Sequence, residues 1–83
     1  MNYNVELKPR AIKDLRNIQK KDATRIANAM EKLAVDLMGD VKRLTNFTPE
    51  YRLRVGNFRV LFEIENEKSI IIYRIIHRRE AYR

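Results

Sequence analysis

Arginine dominates the last third of the sequence, and its placement there suits the recognition of phosphate. Residues 52–83 contain seven arginines and one lysine, whereas residues 1–51 contain four arginines and six lysines. A guanidinium group stays charged at every physiological pH and donates two parallel hydrogen bonds to one phosphate group. The C-terminal part of the chain is therefore where we expect a functional site.

Two of these arginines are predicted to face each other across a hairpin. Arg52 and Arg54 alternate with apolar residues in one predicted strand, and Arg59 does so in the next. Gly56-Asn57 between them provides a two-residue turn, which pairs Arg54 with Arg59. Like charges in directly opposed positions destabilise a sheet by roughly 0.2–1 kcal/mol, and an anion bound between them removes that cost.

The predicted phosphate site extends into the following strand. If the second turn keeps the same alternation, Arg74 lies beside Arg59, and Arg78 lies farther along the same face. The predicted phosphate ligands are Arg52, Arg54, Arg59 and Arg74. Solvated arginines that pair with glutamates are the simpler interpretation of the same pattern. The same face is predicted to carry an apolar strip on which a partner segment could dock, formed by Leu61, Ile70, Ile72 and Ile76.

Two further side chains could transfer a proton. His77 is the one histidine of the chain, and an imidazole titrates near pH 7 without help from its surroundings. A partly buried structural histidine is the simpler interpretation. Tyr82 could pack the tail, stack on a base or exchange a proton.

Composition excludes several reaction classes. The sequence has no cysteine, which excludes disulfides, thiolate zinc sites and cysteine nucleophiles. It has no metal-ligand spacing, no Gly-rich phosphate loop and no Ser/His/Asp signature, so we expect no metal or other cofactor. No run approaches the roughly 18 apolar residues that span a bilayer, so the cytoplasm is the expected location. The net charge of +7 predicts a polyanionic partner, with nucleic acid ahead of an anionic membrane or an acidic protein.

The first half of the chain is predicted to form a strand and two helices. Residues 3–7 alternate as a short strand. A first helix begins at Pro9 and carries its apolar face to Ile18. A second helix follows the N-cap Asp22 and ends at Gly39. The two helices are expected to form an antiparallel hairpin.

The second half is predicted to be mainly strand. Residues 40–50 lack a period and are predicted to be a loop. Strands over 51–55, 58–65 and 69–76 form an antiparallel meander, which a polar tail follows. This order is typical of a single α+β domain over residues 1–83, with both helices on one face of the sheet. The sheet residues predicted to face the helices are Tyr51, Leu53, Val55, Phe58, Val60, Phe62 and Ile64.

The hairpin and the C-terminus resemble a known family. The residues that carry the resemblance are YRLRVGNFRVLFEI at 51–64 and HRREAYR at 77–83. They are similar to the RelE/ParE superfamily of toxins from toxin–antitoxin systems, and the chain length and the order of strands and helices are similar as well. Within the superfamily the sequence most resembles the RelE branch.

This resemblance implies a function and partners. RelE-type toxins cleave mRNA codon by codon in the decoding site of the translating ribosome, and a cognate antitoxin wraps them and holds them inactive. The implied chemistry is metal-free attack of a ribose 2′-hydroxyl on its own 3′-phosphate. The expected partners are therefore mRNA, the ribosome and an acidic antitoxin, the last in a hetero-oligomer.

The resemblance also implies roles for individual residues. Arg52, Arg54 and Arg59 match basic positions around the tight turn, which implies RNA phosphate binding and stabilisation of the transition state. Arg52 and Arg54 replace lysines of the best-known member, and arginine is the poorer base. The remaining members of the implied catalytic set are Arg78 or Arg79 on the leaving-group side, Tyr82 for stacking or proton transfer, and His77 as the alternative acid or base.

Three other interpretations stay open. A ParE-like inhibitor of DNA gyrase has the same fold and is a binding protein without nuclease activity. A basic RNA-binding or ribosome-binding module without catalysis fits the net charge. A degenerate toxin would keep the fold and its antitoxin contact and lose its activity.

Overall fold

The fold combines two helices with one sheet, in the order that the sequence predicts for an α+β domain. A computed structural model describes residues 2–81. Its elements are β1 (Asn4–Leu7), α1 (Pro9–Arg16), α2 (Lys20–Asp36), β2 (Asp40–Arg43), β3 (Tyr51–Val55), β4 (Phe58–Glu65) and β5 (Ser69–His77).

The sheet has five strands in the order β1-β5-β4-β3-β2. Strands β3, β4 and β5 form the predicted antiparallel meander, and β1 adds to β5 in parallel. The prediction of a loop throughout 40–50 is wrong, because residues 40–43 form the edge strand β2 against β3. Val41 is the one apolar residue of β2, and it pairs with Leu53. A four-residue strand with a single apolar side chain has no period that a sequence pattern could reveal.

Helices and sheet share one apolar core. Leu53, Val60 and Phe62 are buried on the sheet, and Ile26 and Leu33 are buried on α2. All seven sheet residues predicted to face the helices belong to this core or pack against it. Burial of these side chains is the main force that holds the helices on this face of the sheet.

A β-bulge in β5 changes which residues face the core. Leu61 pairs with Arg74 and Phe62 pairs with Ile72, so Tyr73 has no partner in β4. One extra residue reverses the alternation of side chains between the two faces. Ile70 and Ile72 are therefore buried with no exposed surface, and their predicted place in an exposed docking strip is wrong. The other two residues predicted for that strip are Leu61 and Ile76. They pair with Arg74 and Arg59, so they lie on the same face of the sheet as these arginines.

The helix ends differ from the predicted ones. Helix α1 begins at Pro9 as predicted and ends at Arg16, before Ile18. Helix α2 begins at Lys20, so Asp22 lies in its first turn and is not its N-cap. Its C-cap is Leu37, which adopts the left-handed conformation two residues before the predicted end at Gly39.

The two helices run in opposite directions, as predicted. The N–H of Lys8, just before α1, donates to the carbonyl of Ile72 at 2.9 Å, and the chain after α1 lines a groove with His77. Helix α1 therefore runs in the direction of β5. The N–H of Tyr3 donates to the carbonyl of Ala34 at 2.7 Å, so the end of α2 lies beside the start of β1.

Candidate nucleic-acid interface

The face of the sheet away from the helices carries the predicted arginines. Arg54 on β3 and Arg59 on β4 are directly opposed, as the hairpin register predicts. The Arg54 side chain keeps 58% of its surface exposed, whereas that of Arg52 keeps 15%. Arg54 and Arg59 thus lie side by side near the turn between β3 and β4. The less exposed Arg52 lies farther from the turn on β3.

Asp40 holds Arg52 in place. Nη1 of Arg52 donates to the carbonyl oxygen of Asp40 at 2.7 Å and to its Oδ1 at 3.1 Å. Nη1 of Arg54 lies 3.9 Å from the other carboxylate oxygen of Asp40. One carboxylate shared by two guanidinium groups leaves the pair with a net positive charge. The half-exposed Asp40 carboxylate contributes little stability, and its clearer effect is to fix the direction of Arg52.

Arg59 folds back over the hairpin turn. Its Nη1 donates to the carbonyl oxygens of Gly56 at 3.1 Å and Phe58 at 3.0 Å. Among residues 2–81 no carboxylate forms an ion pair with Arg59. A guanidinium group has five N–H donors, so this one can hold the backbone and still donate to an anion.

These arginines line one wall of a groove of about 500 Å³. The other wall comes from β2 and the loop after it, and the groove residues are Lys42, Arg43, Leu44, Thr45, Phe47, Arg52, Arg54 and Arg59. Five of the eight lining residues are cations, and the Phe47 ring is partly exposed among them. Cationic walls that follow a phosphate backbone, together with an exposed aromatic ring, are the features with which proteins bind single-stranded nucleic acid.

Sequence reasoning missed the wall formed by β2. Arg43 forms an ion pair with Glu50 at 3.2 Å, and Phe47 keeps 42% of its surface exposed. The adjacent cations Lys42 and Arg43, followed by an aromatic residue, were the available signal. That signal is weak in a segment without a period, because nothing in it predicts that β2 pairs with β3.

Arg74 lies outside this groove. Its partner on β4 is Leu61, and Ile76 is the partner of Arg59, so Arg74 lies diagonal to Arg59 and the predicted placement directly beside it is wrong. Arg74 instead reaches Asp14 of α1, with Nε 2.7 Å from Oδ2 and Nη2 3.2 Å from Oδ1. The hydrogen bond from Arg74 to Asp14 raises the pKa of Arg74 above its ordinary value, against the opposing effect of desolvation.

The Asp14 carboxylate also accepts a backbone hydrogen bond at the edge of β5. Oδ2 of Asp14 also accepts the backbone N–H of Ile75 at 3.0 Å. Strand β1 pairs only with the first four residues of β5, so the N–H of Ile75 has no strand partner on that side. Asp14 therefore joins α1 to the second half of β5 and commits the Arg74 guanidinium to a bidentate pair.

His77 lies on the helix side of the sheet, away from the arginine groove. Its ring meets that of Phe58 edge to face at 5.6 Å and lines a separate groove of about 360 Å³ with residues of the two helices. Its Nδ1 accepts the backbone N–H of Arg79 at 3.2 Å. This arrangement orders the turn after β5 and does not bring the imidazole to the opposed arginines.

The last predicted residues lie close to the hairpin turn. The N–H of Arg78 donates to the carbonyl of Asn57 at 2.8 Å, and the side chains of Arg78 and Arg79 are exposed. Tyr82 lies outside the described residues. Within residues 2–81 no group of three or more His, Asp or Glu side chains is placed to hold a metal ion. No helix of this part of the chain is long and apolar enough to cross a membrane.

Known proteins are similar to this chain in both sequence and fold. Residues 5–82 match the family described as ParE toxin of type II toxin-antitoxin system, parDE. The protein named RelE1 in Methanocaldococcus jannaschii is 35% identical over 85 residues, which cover 98% of this chain and 94% of that protein.

Two solved structures superpose over nearly the whole chain. A chain of the RelB-RelE antitoxin-toxin complex from Methanococcus jannaschii is 28% identical with a TM-score of 0.75, covering 92% of this chain and 93% of that one. A chain of the archaeal RelE-RelB complex from Pyrococcus horikoshii OT3 is 25% identical with a TM-score of 0.79, covering 98% of this chain and 100% of that one.

Proposed function

The chain belongs to the RelE/ParE superfamily of type II toxin–antitoxin toxins, and we propose that it is a ribosome-dependent mRNA endoribonuclease that inhibits translation. The observation that carries this proposal is the groove in which Arg52, Arg54 and Arg59 meet Lys42 and Arg43. Its five cations and exposed aromatic ring suit a single strand of RNA more closely than a protein surface.

The arginines supply the charge that the reaction needs. Attack of a ribose 2′-oxygen on its own 3′-phosphate passes through a phosphorane with more negative charge on its oxygens than the starting diester. The bond from phosphorus to the 5′-oxygen breaks, which leaves a 2′,3′-cyclic phosphate and a 5′-hydroxyl. In this proposal the guanidinium groups of Arg54 and Arg59 stabilise that charge, and Arg52 adds positive charge beside them. Arg74 has no part in this proposal, because Asp14 already holds its guanidinium.

The groups available for proton transfer are weak acids and bases. The 2′-oxygen must lose a proton and the 5′-oxygen must gain one, yet arginine has a pKa above about 12 and free tyrosine one near 10. We assign Arg78 or Arg79 to the leaving-group side and Tyr82 to stacking or proton transfer. An enzyme with such weak acid–base groups gains most of its rate from orientation of the substrate, which the ribosome would provide.

An acidic antitoxin is the proposed regulatory partner. The two superposed chains come from antitoxin–toxin complexes, and this chain carries a net charge of +7. Opposite charge accelerates association and suppresses binding to wrong partners. We therefore propose a cytoplasmic hetero-oligomer in which the antitoxin restrains the toxin. Co-expression with the adjacent reading frame and a pull-down test this partner, and recovery of the toxin alone would contradict it.

Primer extension on a reporter mRNA tests the nuclease. The protein, freed of antitoxin, is added to a purified translation system with or without ribosomes, beside the Arg59→Gln variant and the control Arg10→Gln. Cuts within codons that need ribosomes and vanish only with Arg59→Gln are expected. Cleavage of free RNA at the same rate would disprove ribosome dependence.

Inhibition of DNA gyrase is the second candidate function. It is favoured by one observation, because the matched family is described as ParE toxin. Intact mRNA and unimpaired translation, together with loss of DNA supercoiling by gyrase, would establish this alternative and overturn the nuclease proposal.

A further inference from the structure

Helix α2 places a further cation at the hairpin turn. Gly56 lies in the turn between β3 and β4, with φ of +57°. A Cβ added to Gly56 would lie 3.0 Å from Nη2 and 3.2 Å from Nη1 of Arg25. The Arg25 guanidinium therefore covers the turn directly, and a side chain at position 56 would displace it.

Two guanidinium groups thus converge on one glycine from different elements. Arg59 donates to the Gly56 carbonyl at 3.1 Å from the strand side, while the Arg25 guanidinium of α2 lies against the position that a Gly56 Cβ would occupy. Arg54 is opposite Arg59 in the same hairpin. The cationic surface of the groove therefore continues across the turn instead of ending at it.

Arg25 is weakly neutralised within its own helix. Its Nη1 lies 3.9 Å from Oδ1 of Asp22, the limit of an ion pair, and the Arg25 side chain keeps 57% of its surface exposed. Lys21 precedes Arg25 by four residues on the same helical face. Like charges at this spacing destabilise a helix, and an anion bound between them would remove that repulsion.

We propose that Arg25 is an RNA-binding residue that holds a backbone phosphate next to the one bound by Arg54 and Arg59. This inference rests on the proposed function and deepens it, because it gives the bound strand a path. The strand enters along Lys42 and Arg43, passes the opposed arginines and leaves over Gly56 toward α2. A purely structural Arg25 would cover the turn and would not change how RNA binding depends on salt.

Salt-dependent binding of a non-cleavable RNA separates these roles. The full chain is titrated into a fluorescent single-stranded RNA with 2′-O-methyl groups, and anisotropy is measured at several salt concentrations. Log K falls as log salt rises, and we call the steepness of this fall the salt slope. Each phosphate contact in a single strand adds about 0.7 to the salt slope, and at 0.1 M salt it strengthens binding about fivefold. Arg25→Gln is expected to lose about that much of both quantities.

Arg10→Gln is the matched control. It removes one exposed arginine from the first turn of α1, near Ile72 of β5. His77, which pairs with the hairpin end, is five residues farther along β5, or about 16 Å. Equal salt slopes for wild type and Arg10→Gln, with a lower slope for Arg25→Gln, support the proposal.

Other outcomes overturn it in distinguishable ways. If Arg54→Gln and Arg59→Gln lower the slope and Arg25→Gln does not, the groove binds RNA and the assignment of Arg25 is wrong. If Arg10→Gln has the same effect as Arg25→Gln, the effect is one of net charge and the assignment is again wrong. If none of these variants changes the slope, the proposed function fails together with the assignment. Equal thermal melting curves exclude unfolding as the cause.

Discussion

Arg54 and Arg59 are directly opposed partners on β3 and β4, and among residues 2–81 the one ion pair that either of them forms joins Arg54 to Asp40 at 3.9 Å. Two cations in opposed positions repel each other, so this pairing weakens the hairpin. An anion bound between them would reverse the sign of the interaction. The same two residues should therefore affect stability and RNA binding in opposite directions.

Replacement of Arg54 by glutamine tests whether stability and RNA binding change in opposite directions. Arg54→Gln removes the repulsion and a weak, exposed ion pair, so the free energy of unfolding is expected to stay equal or to rise by about 0.5 kcal/mol. Cleavage on translating ribosomes is expected to fall about 100-fold or more, as when one charge-stabilising donor is removed from a transition state. Urea unfolding and primer extension measure the two quantities.

Arg10→Gln serves as the control for the same loss of charge. Cleavage by this variant should match that of the wild type. If Arg54→Gln lost activity together with a large loss of stability, the predicted opposite effects on stability and cleavage would be wrong. Full activity in a stable Arg54→Gln variant would contradict them as well.

The sequence predicts the hairpin well because its signals are local. Strict alternation on both sides of Gly56-Asn57 determines the faces, and the turn length determines that Arg54 meets Arg59. Arg52, Arg54 and Arg59 therefore reach one face as expected. The matched family and the superposed toxins support the same fold.

The errors lie where local signals are absent. In β5 the run from Ile70 to Ile76 is apolar at positions of both faces, so it gives no warning of the bulge at Tyr73. That single extra residue decides the burial of Ile70 and Ile72. The pair of Arg74 with Asp14 joins residues 60 positions apart and follows only from the docking of α1 on β5.

The Asp14 carboxylate is expected to contribute to stability and not to RNA binding. Asp14→Asn weakens the bonds to Arg74 and to the Ile75 N–H in a largely buried setting, so the free energy of unfolding should fall by about 1–2 kcal/mol. Glu31→Gln, an exposed change on α2, should leave it within about 0.5 kcal/mol. Urea unfolding of both variants provides the measurement.

Arg74→Met extends this test to RNA. If Arg74 is committed to Asp14, the variant loses stability and keeps the salt slope of RNA binding. A lower slope in the folded variant would return Arg74 to the phosphate ligands predicted from the sequence and would contradict its commitment to Asp14.

Phe47 is expected to act as a stacking platform in the groove. Its ring is 42% exposed among cations, and stacking of a base on an aromatic ring contributes about 1–3 kcal/mol. Phe47→Ala should therefore weaken binding of non-cleavable RNA about 10-fold with an unchanged salt slope, because no charge is removed. Val35→Ala removes another exposed apolar side chain, from α2, and should bind like the wild type. Equal affinities for Phe47→Ala and the wild type would rule out stacking.

His77 is expected to be dispensable for proton transfer. Its ring packs against Phe58 on the helix side, and its Nδ1 accepts the Arg79 N–H, which leaves the proton of the neutral ring on Nε2. In His77→Asn the amide oxygen can accept the same N–H and keep the turn. The variant should retain cleavage within about 10-fold, and its rate should depend on pH as that of the wild type does, because a residue that transfers no proton contributes no pKa to the profile. Single-turnover cleavage on ribosomes over about pH 5.5–8.5 measures this dependence. Loss in His77→Asn of an inflection that the wild-type pH profile shows would instead identify the imidazole as the acid or base and would require the C-terminal turn to rearrange toward the arginine groove.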